Sequence, residues 1–98
     1  VSIFNWKENL SDLFAATVNQ QTIEEAAEVM ASVGVSDEGY HRECIFTLDE
    51  AMRAIKAGDN YVIDCINRSG YQVGDIGSTL VLLGDLKDAY LKEFSKED

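Results

Sequence analysis

The sequence predicts an α+β fold: a small antiparallel sheet of three to four strands with an N-terminal helical hairpin, a central helix and a C-terminal helix. Three observations lead there. A side-chain acceptor followed three residues later by Glu, the pattern that caps a helix N-terminus reciprocally, occurs at Asn5/Glu8, Thr22/Glu25 and Thr47/Glu50. Around the last of these the apolar period changes, because residues 40–47 alternate and residues 60–66 are rich in β-branched side chains. A chain of 98 residues, 46% of them hydrophobic, has apolar surface for one core and not two, so all elements belong to a single domain, 1–98.

In chain order, the first helix starts at Trp6. Trp6, Leu10, Leu13 and Thr17 or Val18 recur at helical spacing, Phe14 widens the stripe, and the helix is expected to run to about Val18. The second presents Ile23, Ala26, Ala27, Met30 and Val33, with Gly34 as a left-handed residue just past its end. These two helices form the hairpin. Residues 40–47 set Tyr40, Arg42, Cys44 and Phe46 against His41, Glu43 and Ile45 as a first strand.

Thr47 caps the third helix, in which Leu48, Ala51, Met52 and Ile55 point inward, Asp49 and Arg53 pair across one turn, and Gly58 terminates. Residues 60–66 read as a second strand, joined by a turn at Asn67-Arg68-Ser69-Gly70 to a third at Tyr71-Gln72-Val73, with positive φ at Gly70. Residues 79–83 allow two readings. One is a buried strand followed by a helix capped by Asp85, carrying Leu86, Ala89, Tyr90 and Phe94 inward; the other is a longer helix capped by Ser78 with Gly84 inside it at a cost of about 1 kcal/mol. The Gly84-Asp85 boundary favours the split version.

The chemistry-bearing residues are few. Cys44 and Cys65 fall in apolar segments and read as buried free thiols, a bridge between neighbouring strands being the alternative. His41, Glu43, Cys44 and Cys65 lack the paired close spacings of a zinc site. No strained-turn nucleophile accompanies His41. Residues 74–79, Gly-Asp-Ile-Gly-Ser-Thr, have no Lys to reach a phosphate, and Asp75 would repel one. A helix-turn-helix over residues 22–42 would open its second helix with Asp37-Glu38, a start hostile to DNA. The expectation is a non-enzyme without metal or cofactor. No apolar run approaches the ~18 residues of a membrane span, and no basic-then-apolar leader is visible, so the expected location is the cytoplasm.

Charge is the feature that rises above background. The net charge is −10, which disfavours direct contact with nucleic acid. It is also uneven: residues 1–50 hold ten acids and two bases, residues 51–98 eight acids and six bases. Between Glu8 and Tyr40 stand Glu8, Asp12, Glu24, Glu25, Glu28, Asp37 and Glu38 without one base. Glu8/Asp12 and Glu24/Glu28 are like-charge pairs one turn apart, each costing about 0.2–0.5 kcal/mol in an isolated helix. A solvated acidic face explains solubility; a surface shaped for a basic partner explains why no Lys is interspersed.

In size, charge and acids carried on helices over residues 8–40, the chain resembles the small acidic inhibitors that imitate DNA, many of them phage-encoded, including restriction inhibitors and some anti-CRISPR proteins. The resemblance implies a protein without catalytic activity that masks the basic surface of a nucleic-acid-binding enzyme or defence complex in the host bacterial cytoplasm. Its contact residues would be the seven acids just named, with Tyr40, Tyr61 and Tyr71 as candidate anchors. The alternative is a small adaptor, immunity or regulatory protein whose acidic face binds one basic protein.

Overall fold

The described residues of the computed structural model are 5–15 and 22–97, and apart from a π-helical pair at 14–15 their regular structure consists of five helices. These are α1 (Trp6–Leu13), α2 (Ile23–Gly34), α3 (Glu38–Lys56), α4 (Asn60–Arg68) and α5 (Ile76–Glu97). α3 lies against all four of the others; α2 and α5 form the most extensive pairing, and α1 also touches α4. The architecture is all-α, and the expected antiparallel sheet of an α+β fold is absent from the described residues.

The expected strands at 40–47, 60–66 and 79–83 are helical, each for an identifiable reason, and the one at 71–73 is loop. Residues 40–47 alternate in polarity, yet they also begin a longer helical stripe, Cys44, Thr47, Leu48, Ala51 and Ile55, all buried. The helix start lies earlier than Thr47: the Asp37 carboxylate accepts the Tyr40 amide at 3.1 Å. Thr47, expected as a cap, is therefore mid-helix in the core. Residues 60–66 carry β-branched side chains, but Val62, Cys65 and Ile66 bury one helical face, and Asp59 accepts the Tyr61 amide at 2.9 Å. Here packing of that face overrides β propensity.

The expected hairpin at residues 67–73 is the end of α4 and a loop after it. Gly70 does have positive φ, 105°, but as the residue past a helix terminus. Asn67 holds the loop through its side chain, which accepts the Val73 amide at 2.9 Å and donates to the Val73 carbonyl at 3.2 Å. Residues 79–83 are neither a strand nor separated from residues 85–97. α5 runs through Gly84, and its start is held by Asp75, whose carboxylate accepts the Ser78 amide at 2.7 Å. Thr79, Leu83, Leu86 and Tyr90 form its fully buried face.

Two caps match the sequence directly. Thr22 and Glu25 make the reciprocal box, each amide bonded at 3.1 Å to the other's side chain, and Asn5 accepts the Glu8 amide at 3.3 Å. The extension of the first helix to Val18 lies outside the described residues. The N-terminal helical hairpin does not form as expected, since α1 is seated on α3 and α4 while α2 is seated on α5 and α3.

Gly34 is the last residue of α2 and is not left-handed. Ala26, Ala27, Ala31 and Gly34 instead give α2 a small-residue face on which α5 can lie close. Gly58 is left-handed, φ 90°, and ends α3 as expected. Asp49 does not pair with Arg53: it crosses to Lys87 of α5 at 2.6 Å, and Arg53 pairs with Glu50 at 3.1 Å.

Candidate partner-binding surface

All seven acids named from the sequence are exposed, but the fold gives them different work. Asp37 caps α3 and Glu25 completes the capping box of α2. Hydrogen bonds from the Thr22 backbone and hydroxyl hold the Glu25 carboxyl below its usual range. Glu8 closes the start of α1, where the Asn5 amide donates to it at 3.4 Å. Glu38 is bonded to Arg42 at 2.8 Å, one turn along α3, so its charge is locally compensated. Asp12 stands on the side of α1 that meets α3 and shares a cleft there with Glu43.

Glu24 and Glu28, like Asp12, make neither a hydrogen bond nor an ion pair with any described residue. The structure thus does not gather the seven carboxylates into one face. It concentrates uncompensated charge on α2, a helix with no basic residue. Five of the eight basic side chains, Lys7, Arg42, Arg53, Lys87 and Lys96, are engaged in ion pairs elsewhere.

The three candidate tyrosine anchors are half-buried parts of the fold. Tyr61 donates its hydroxyl to the Lys7 carbonyl at 2.8 Å and meets Trp6 edge-on. Tyr71 meets Phe14 edge-on, and burial, together with the nearby Glu24 and Glu25 carboxylates, pushes its phenol pKa up. Tyr40 packs against the core from α3. Exposed large apolar side chains fall in two places: Val29, Val33 and Val35, each 40–45% exposed, along α2 and just past its end, and Ile76, Val81 and Leu91 on α5, of which Val81 is 62% exposed.

Val33, placed on the buried stripe by its spacing, is turned outward. Val29 and Val33 form one line along the helix and Glu24 and Glu28 another, with Glu25 and Ser32 between them. The α2 surface is therefore a band of carboxylates beside a band of valines. The signal for it is present in the sequence, since α2 has more apolar positions than one 3.6-period stripe accommodates.

Other chemistry can be placed briefly. Cys44 and Cys65 are free and buried. Desolvation pushes the Cys44 thiol up to about 11 and raises that of Cys65, so neither is a ready thiolate. His41 shares a 2.6 Å hydrogen bond with Tyr90 and stacks on Phe94 at 4.2 Å, which occupies it structurally. Among the described residues no group of three or more His, Cys, Asp or Glu side chains could hold a metal ion, and no helix is long and apolar enough to cross a membrane. No family model, curated protein or solved structure matches the chain.

Proposed function

We propose that the protein is a non-catalytic inhibitor whose acidic α2 face masks a basic, nucleic-acid-binding protein surface in the manner of a DNA mimic. The observation that supports this reading is the pair Glu24 and Glu28, exposed one turn apart on a helix with no base to compensate them. A repulsive pair of that kind lowers helix stability slightly and projects negative potential outward, which steers association with a basic groove.

Charge density bounds how far the mimicry extends. Three carboxylates over the 12 residues of α2 amount to roughly one charge per 6 Å at a rise of about 1.5 Å per residue. One DNA strand carries a charge about every 3.4 Å. α2 can replace a few phosphates in a groove and leaves the remaining affinity to Val29 and Val33, whose burial contributes without requiring charge.

The test is capture from bacterial lysate on the immobilised protein, followed by elution with duplex DNA. Recovery of a nucleic-acid-binding protein that DNA displaces supports the proposal. A captured protein indifferent to DNA makes the chain an adaptor or immunity protein, and no specific capture leaves α2 a solvated face.

A further inference from the structure

Where α1 touches α4, the rings of Trp6 and Tyr61 meet edge-on at 90° with their centroids 6.4 Å apart and form a two-walled aromatic corner. The corner already holds a cation. The Lys7 Nζ lies 5.7 Å from the Trp6 centroid, 5.3 Å from that of Tyr61 and 3.6 Å from Asp59 Oδ2. Both ring distances fall within the roughly 6 Å over which an aromatic face attracts a positive charge.

Each wall is held by contacts that do not involve the ammonium. The Tyr61 hydroxyl is committed to the Lys7 carbonyl at 2.8 Å, and Trp6 packs against the same ring. Asp59 accepts the Tyr61 amide through Oδ1 at 2.9 Å, which leaves Oδ2 for the cation. Trp6 and Tyr61 are half-buried, while the Asp59 and Lys7 side chains are 32% and 50% exposed, so the walls are accessible and the occupant is free to leave.

Lys7 matches this corner poorly. A primary ammonium is strongly hydrated and carries three donors, and at 3.6 Å its contact with Asp59 is an ion pair beyond hydrogen-bond length. A quaternary ammonium has no N–H to satisfy and spreads its charge over methyl groups that lie against ring faces, the chemistry by which aromatic cages select it. We infer that the corner of Trp6, Tyr61 and Asp59 binds a small quaternary ammonium cation of the choline class, with the Lys7 ammonium as the internal occupant that it displaces. A free cation suits the corner better than one joined to an acid, since a phosphate or carboxylate would meet Asp59 and a chain of net charge −10. The corner is built by α1 and α4 and stands independently of the α2 surface.

Trp6 is the only tryptophan, so its fluorescence reports on the corner. The experiment is a fluorescence titration of the full chain, native and Lys7→Ala, with choline chloride, phosphocholine, potassium chloride and 3,3-dimethylbutan-1-ol, the uncharged isostere of choline, at constant ionic strength. Choline should bind Lys7→Ala with a dissociation constant on the order of 1 mM, within reach of so small a ligand. The native chain should bind it roughly tenfold more weakly, because Lys7 leaves the corner open only a fraction of the time. Potassium and the isostere should not saturate, and phosphocholine should bind more weakly than choline. Asp59→Asn, which keeps an acceptor for the α4 cap, should weaken choline by roughly tenfold through loss of the nearby charge. Choline binding no tighter in Lys7→Ala than in the native chain, saturation by the isostere in the same range, equal binding of phosphocholine, or no saturable change in either chain would overturn the assignment. If a variant folds poorly, choline against its isostere on the native chain decides the matter.

Discussion

The phenol oxygen of Tyr90 occupies the space that a side chain at Gly34 would need. Gly34 closes α2, Tyr90 is fully buried on α5, and the same oxygen is bonded to His41 of α3. One close approach therefore ties three helices together.

Gly34→Ala should destabilise the protein by about 1–3 kcal/mol, the usual cost of overpacking, although alanine is the better helix former by about 1 kcal/mol. Tyr90 cannot swing away without losing its hydrogen bond and its contact with Phe94. Urea denaturation measures the change; an increase in stability would show that α2 and α5 are less closely seated.

Thr47 and Thr22 should respond oppositely to removal of their hydroxyls. Thr22→Ala removes a cap and should cost about 0.5–2 kcal/mol. Thr47→Val removes a buried hydroxyl that has no partner and should leave stability unchanged or raise it by up to about 1 kcal/mol. A loss at Thr47 equal to that at Thr22 would show that its hydroxyl makes a stabilising hydrogen bond. Thermal melts of the two variants side by side make the comparison.

Stability should fall as the pH rises above 9. The Cys44 thiol ionises near 9.0 when unconstrained and at about 11 in the fold, while Tyr90 moves from 10.0 to about 12, each chiefly through burial. In both cases the unfolded chain loses its proton first, so the folded state holds more protons through that window and is progressively disfavoured with increasing pH. Urea midpoints taken across the alkaline range test this. Both thiols should also resist alkylation until the chain is unfolded, and reductant should not alter stability, since neither is in a disulfide.

The features legible in the sequence are local. The Thr22/Glu25 box, the stop at Gly58 and the buried state of both cysteines depend on neighbouring side chains or on simple hydrophobicity. The choice of period was hidden. Cys44 belongs to a two-residue alternation and to a helical stripe at once, and only the next turns, Thr47, Leu48 and Ala51, resolve it. Val62, Ile63 and Ile66 prefer strands in isolation, yet Asp59 starts a helix and the core accepts one face of it. Gly84 resembles a boundary because its entropic cost is visible in the sequence, whereas the packing of Leu83, Leu86 and Tyr90 that offsets it is not. For the surface, the run of acids and the surplus of apolar positions on α2 are plain in the sequence; which acids are committed to caps and ion pairs, and which valines face outward, required the fold.

If α2 presents the binding face, reversing its charge should abolish most of the attraction. Glu24→Lys with Glu28→Lys is compared with Asp85→Lys with Asp88→Lys, an exposed pair on α5 near Lys87 and Lys92, by titration against the captured partner at two salt concentrations. Circular dichroism serves as the folding control, since exposed substitutions usually stay within about 0.5 kcal/mol. The α2 reversal should weaken binding at least about tenfold more than the α5 reversal, a difference of roughly 1.4 kcal/mol. Native affinity should also fall as salt rises, because exposed charges are screened beyond about 8 Å at physiological ionic strength. Equal weakening by the two reversals, or an affinity flat with salt, would contradict α2 as the binding face.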